Sequence, residues 1–278
     1  MTEQSVVEAA EMARTKFTYL RTNPAGYFVL SMLAGVYVGF GIVLIFAIGA
    51  PLIAANSAAA KLAMGASFGI ALTLVIFAGS ELFTGNNMVM TIGVFRRTVS
   101  PVALGAVWVV SFVGNLLGAL GLAWLVMKSG VLASTPHLGV IEKTVNTKMT
   151  LPFDVLFYRG VLCNWLVCLA VWTAMRSKSE AGKLVLIFWC LFAFIGAGFE
   201  HSVANMTLLA IGLMQPHGAG VTVAGFVHNM VPVTLGNIVG GAVFVGGAYW
   251  LANAPLRFPR LGLRAEPKQM RSEGAAGD

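Results

Sequence analysis

Of the 278 residues, 58% are apolar and only 10% carry a charge, and the mean hydropathy is +0.82. A soluble domain has about a quarter charged residues, so this composition excludes a cytosolic enzyme, a nucleic-acid module and a secreted disulfide scaffold, and points to a chain that crosses a membrane several times. The net charge of +7 reads as a topology signal, because the basic residues fall mainly between and beyond the apolar stretches.

Residues 1–26 predict an amphipathic helix lying at the membrane surface, with Val6, Ala9, Ala10, Ala13, Phe17 and Leu20 recurring at near-helical spacing between charges. Its apolar content is too interrupted for a secretory leader. Six apolar spans follow, at 27–50, 63–95, 102–127, 154–175, 184–213 and 221–251, each long enough to cross a hydrocarbon layer of about 30 Å. The segment 252–278 is polar and Gly/Ala-rich at its end, and is expected to be a disordered tail. Six crossings place both termini on one side. Thirteen of the eighteen Lys and Arg fall on that side, Arg96, Arg97, Arg176 and Lys178 among them, which makes it the cytoplasmic side. Cys163, Cys168 and Cys190 lie inside apolar runs without CxxC spacing. They read as packing residues, and no disulfide, metal or cofactor is expected.

The second and fifth spans are about thirty residues long and carry a polar, glycine-containing interruption at their middle. At 1.5 Å per residue a straight helix of that length overshoots the bilayer, so each is predicted to be a broken helix. The two interruptions align as G-x-E-x-x-x-x-N, at Gly79, Glu81, Asn86 and at Gly198, Glu200, Asn205. A second match follows in the next span of each half, Gly114-Asn115 and Gly236-Asn237. The chain therefore reads as two halves of three spans. Three is odd, so the second half enters the membrane in the opposite sense from the first. The expected fold is an all-α polytopic membrane protein of two inverted three-helix repeats, residues 27–251 forming one channel domain. Unwound backbone survives at membrane depth only where it is buried in protein or lines a cavity, so function is expected where the breaks meet.

Each candidate residue has a functional and a structural reading. Glu81 and Glu200 are the carboxylates in the middle of spans, where a charge costs about 2.5–3.5 kcal/mol on insertion scales. They could relay protons, but their matched repeat positions favour a structural role, bonded to backbone N–H groups freed by the breaks. His201 has no counterpart in the first half, where Leu82 stands. That asymmetry favours a pore role over a satisfied structural histidine. Thr84, at the other break, offers a hydroxyl to an anion or an imidazole. Phe68, Leu72, Phe83 and Phe194 read as lipid-facing or packing side chains, or as dry constrictions about the polar site. Lys148 falls in a long external loop, either merely solvated or part of a basic vestibule that concentrates anions.

The chemistry of a small anion sharpens the choice. Carrying it bare through an apolar constriction costs up to tens of kcal/mol in the Born limit, whereas protonating a weak acid of pKa about 4 at pH 7 costs about 4 kcal/mol. A histidine between two hydrophobic slits is what a weak-acid channel requires.

With these residues in hand, the chain resembles the formate/nitrite transporter family over residues 10–252. The resemblance is carried by Gly79-Ser80-Glu81-Leu82-Phe83-Thr84-Gly85, by 162–170 with Asn164 at its centre, by 198–206 with Glu200 and His201, and by 232–237. It implies an aquaporin-like protomer, a homopentamer in the bacterial inner membrane, and one anion pore per subunit. It further implies that His201 and Thr84 form a central polar pair. Leu72, Phe83 and Val167 would line one slit and Phe68 and Phe194 the other. Lys148 would draw anions in, and Glu200 and Asn164 would support the pore. Within the family the likeness is to the nitrite branch: the formate branch typically has Asp where Glu81 stands and Asn where His228 stands, although Pro232 follows the formate pattern. Nitrite is thus the first expected substrate, with protons as its partner in transit. Formate, hydrosulfide or another short monocarboxylate by the same mechanism is the second. A non-transporting assembly or sensor subunit is a third reading, and an enzyme the weakest, since no metal-ligand cluster or activated nucleophile accompanies His201.

Overall fold

The computed structural model describes residues 2–253, and over that range the elements are helical. In chain order they are α1 (Glu3–Thr22), α2 (Pro24–Ala54), α3 (Ala60–Ser67), α4 (Gly69–Phe77), α5 (Phe83–Phe95), α6 (Pro101–Ser129), α7 (Thr135–Thr150), α8 (Phe153–Arg176), α9 (Glu180–Ala197), α10 (Ser202–Met214) and α11 (Val223–Gly241). A π-helical stretch, Ala242–Gly247, continues α11 into α12 (Ala248–Asn253). From residue 254 onward the expected tail lies outside the described residues.

Local chemistry sets the helix starts. The side chains of Asn23, Ser100, Ser179 and Thr222 each accept a hydrogen bond from a backbone N–H in the first turn of α2, α6, α9 and α11, and Pro24 and Pro101 occupy the first helical position, where a missing N–H is harmless. Among the described residues, six stretches are long and apolar enough to cross a membrane: Pro24–Ala54, Ala60–Phe77, Pro101–Ser129, Phe153–Arg176, Glu180–Ala197 and Val223–Asn253. The second and fifth spans are interrupted, after α4 and after α9, and each resumes in a short helix, α5 or α10. These two resumed helices are buried on nearly every face, which suits their apolar composition all round. The remaining spans expose Val109, Trp124, Leu184 and Trp189 on their outer faces.

The repeat pairs α2 with α8, α3 and α4 with α9, α5 with α10, and α6 with α11. The match extends to packing. α2 lies against α6, and α8 against α11, both through glycine. A Cβ at Gly118 would run into the carbonyl oxygen of Met32, and one at Gly240 into that of Val161. Such contacts bring the two backbones together as small residues do between membrane helices.

Two expectations are corrected. The terminal helix does not lie free at the interface: Val6, Ala9, Ala10 and Ala13 are buried against α5, and Thr98 donates to the Ala10 carbonyl at 3.0 Å. The stripe is mostly alanine, and small side chains fit a close protein contact better than the headgroup layer. The long loop carrying Lys148 is helix α7, with Ile141, Val145 and Met149 buried at four-residue spacing. That spacing is a helical face, masked in the sequence by the lysines around it.

Candidate functional site

Both breaks are built the same way, residue for residue. Gly79 and Gly198 take φ of +76° and +77°, the left-handed region open to glycine. The turn that follows returns Ser80 N–H to the Val75 carbonyl at 3.1 Å and Phe199 N–H to that of Phe194 at 3.0 Å, the six-to-one closure of a helix C-terminus. Glu81 N–H then donates to the Leu30 carbonyl and Glu200 N–H to the Arg159 carbonyl, both at 3.2 Å. Asn115 and Asn237 satisfy the rest. The Asn115 side-chain oxygen accepts from Phe83 N–H at 2.9 Å, and its nitrogen donates to the carbonyls of Ser31 at 2.7 Å and Glu81 at 3.0 Å. Asn237 makes the matching bonds to Ser202 N–H, Gly160 and Glu200 at 2.8, 2.8 and 3.0 Å. Two buried carboxamides thus replace the missing helical partners that unwound backbone needs in a membrane.

The sequence had suggested that the carboxylates bond to the freed backbone amides; instead they bond to side chains, and the N–H groups of Glu81, Phe83, Glu200 and Ser202 have other partners. Glu81 meets Lys16 of α1 at 2.7 and 2.8 Å, the Tyr27 hydroxyl at 2.9 Å and the Asn86 side chain at 3.2 Å. Glu200 accepts from Lys148 of α7 at 2.7 Å and from Asn205 at 2.6 Å, and Asn205 also donates to Asn229 at 2.8 Å. A desolvated charge requires a countercharge and filled lone pairs. Lys16, Tyr27 and Asn229 were not recognised from sequence, since nothing in the local pattern signals a partner so distant along the chain. Asn115 and Asn237 were visible as a repeated Gly-Asn pair, without a role.

At the centre, Thr84 Oγ1 lies 3.0 Å from His201 Nε2. His201 also caps α10: its Nδ1 accepts from Ala204 N–H at 3.1 Å. An acceptor nitrogen carries no proton, so the neutral ring bears its hydrogen on Nε2 and donates it to Thr84. The Thr84 hydroxyl hydrogen remains available to a third group. Asn164, fully buried, donates to the carbonyls of Thr84 at 3.1 Å and Asn237 at 2.7 Å, tying the α5 end of one half to α11 of the other.

Apolar side chains surround this pair. The Phe194 ring stacks on His201 at 6.0 Å and 19°, and Phe68 meets Phe194 edge-on at 5.4 Å. Phe83 packs edge-on against Phe112 at 5.1 Å and Trp108 at 6.4 Å. Leu72 and Val167 are buried with them in the main core. All five constriction candidates are therefore interior, not lipid-facing.

A chamber opens on each side. The one beside α1, of about 480 Å³, is lined by Lys16, Leu30, Leu72, Glu81, Val171 and Lys183. The other, of about 760 Å³, lies beside α7 and is lined by Lys143, Thr144, Lys148, Arg159, Gly198 and Glu200.

Two inverted halves, two broken helices meeting in the interior, and a chamber on either side define a membrane channel or transporter. A sequence profile described as formate/nitrite transporter matches residues 3–251. The chain is 44% identical over 269 residues to the nitrite transporter NirC of Escherichia coli (strain K12), covering 97% of this chain and 96% of the relative. Among solved structures, one described as an FNT family ion channel superposes with a TM-score of 0.85 at 44% identity, covering 90% of this chain and 99% of that one. A pentameric formate channel with formate bound gives 0.73 at 28% identity, covering 82% and 96%. The chain belongs to the formate/nitrite transporter family.

Proposed function

We propose that the chain conducts nitrite across the bacterial inner membrane, as a homopentamer with one passage through each subunit. The observation that carries this reading is the 3.0 Å contact between Thr84 and His201, set among Leu72, Phe83, Val167, Phe68 and Phe194 between two chambers with basic walls. Lys148 and Lys16 stand on the walls of the two chambers, each held in place by its glutamate. The similarity to a nitrite transporter and to a pentameric formate channel supports the substrate class and the assembly. The excess of basic residues between spans on the side of the termini supports a cytoplasmic α1.

In this reading the anion is drawn into a chamber, accepts a hydrogen bond from the free Thr84 hydroxyl, and crosses the apolar slits as its neutral acid. The proton comes from His201 in its doubly protonated form. Loading Nδ1 breaks the bond to Ala204 N–H; the proton handed to the anion leaves Nε2 through the Thr84 hydroxyl, and the bond to Ala204 returns when Nδ1 sheds its own proton and Nε2 is protonated again. Losing such a helix cap costs about 1 kcal/mol, small beside the tens of kcal/mol for a bare ion in an apolar slit. Glu200 and Asn164 hold the break and the α8 crossing in place and do not touch the substrate.

Formate is the second reading, favoured by the formate-bound channel of the same fold. Stopped-flow uptake into proteoliposomes decides between them. Nitrite is expected to enter faster than formate, and His201→Asn to lower both by about tenfold or more. Formate outpacing nitrite would move the assignment to formate. Flux unchanged in His201→Asn would leave the break with a structural role only.

A further inference from the structure

Leu30 and Arg159 occupy the same place in the two halves. Each offers its carbonyl to the N–H of its half's glutamate at 3.2 Å, and the carbonyl of the next residue, Ser31 or Gly160, takes the side-chain nitrogen of Asn115 or Asn237. The side chains differ. Leu30 puts an isobutyl group on the wall of the α1-side chamber, whereas Arg159 puts a guanidinium on the wall of the α7-side chamber.

The charge around Arg159 makes that exchange matter. Lys16 with Glu81, and Lys148 with Glu200, are matched pairs at 2.7 Å and largely cancel at a distance. In the α1-side chamber the other wall cation, Lys183, sits 2.8 Å from Glu180. In the α7-side chamber Arg159 and Lys143 form no ion pair among the described residues. Half-buried in α8, Arg159 is the deeper of the two, its own backbone bonded to the break, while Lys143 is exposed at the rim.

Resting on the anion-transport reading above, we propose that Arg159, assisted by Lys143, is the anion-capturing cation of the α7-side chamber, and that it makes anion uptake through that face faster than through the α1 face at low ionic strength. A planar guanidinium presents two parallel N–H groups to the two oxygens of a bent or planar monoanion. Lys148, already bonded to Glu200, keeps the wall in shape and contributes less net field. An unpaired charge on a low-dielectric wall raises the local concentration of the opposite ion and the rate at which it is captured.

Initial nitrite uptake into right-side-out and inverted membrane vesicles carrying the full chain tests this, at ionic strengths of about 20 and 200 mM, which bracket strong and weak screening. The wild-type rate through the α7 face should fall more steeply with salt than the rate through the α1 face. Arg159→Leu, which copies the residue at the repeat position, should lower the α7-face rate roughly threefold at low salt and make the two salt profiles alike. Arg159→Lys should retain the salt dependence. Lys143→Gln, at an exposed rim position where folding is not at stake, should lower the same rate by a smaller factor. Wild-type flux that Arg159→Leu and Lys143→Gln both leave unaltered at low salt overturns the inference while transport stands; absence of wild-type nitrite and formate flux overturns the transport reading and this inference with it.

Discussion

Asn115 and Asn237 hold the two helix breaks by the same three hydrogen bonds, one accepted from the N–H that opens the following helix and two donated, to the glutamate carbonyl within the gap and to a carbonyl of α2 or α8. A carboxamide can do this because it carries donor and acceptor on one planar group, as the peptide it replaces does. Neither residue touches the Thr84 and His201 pair, yet both decide where that pair stands.

Replacing Asn115 by Leu leaves Phe83 N–H and the Glu81 carbonyl unpaired in the interior. At about 1–3 kcal/mol for each buried group left unsatisfied, the variant should lose several kcal/mol. Its Tm in detergent should fall by about 10 °C, and Asn237→Leu should show a similar loss because its bonds are the same.

Thr84→Val keeps the shape of the side chain and deletes the hydroxyl. His201 Nε2–H then loses its acceptor and a passing anion its donor, at about 1 kcal/mol or more for each bond. Nitrite flux in proteoliposomes should drop by about tenfold, and Thr84→Ser should recover most of it. Equal loss in both variants would show that the hydroxyl alone does not suffice and that the methyl group is needed as well.

Lys148→Met strands Glu200, which is only 2% exposed. Removing one partner of a buried pair is strongly destabilising, by about 3–5 kcal/mol when both are fully desolvated, and less here because the lysine side chain is 18% exposed. The double variant Lys148→Met/Glu200→Gln should recover much of the lost thermal stability, since no lone charge remains. Failure to recover would show that the lysine stabilises by packing along its stem.

Gly118 tests the close approach of α2 and α6. Any side chain there collides with the backbone carbonyl of Met32, and backbone cannot move aside as a rotamer can. Gly118→Val should abolish a monodisperse peak in detergent size exclusion. The same substitution at Gly121, which has open space around its Cβ position, should leave the profile unchanged.

The number of spans, the two breaks and the inverted repeat were legible in the sequence because they are written in features of short range: apolar run length, glycine with a carboxylate inside a span, and a spacing that recurs. His201 was legible through asymmetry, standing where the first half has Leu82. Helix α7 was missed because its buried face is three residues among lysines and threonines, and α1 was placed at the interface because nothing in its own residues says what covers an apolar stripe.

Composition and periodicity alone determined that this chain spans a membrane as paired halves with interrupted helices, since water and lipid act on every residue according to its own character. The lysine partners of Glu81 and Glu200, the meeting of Thr84 with His201 and the difference between the two chambers were decided only by the tertiary structure. Each depends on groups far apart in the chain meeting within 3 Å or so, and such meetings follow from how the helices pack.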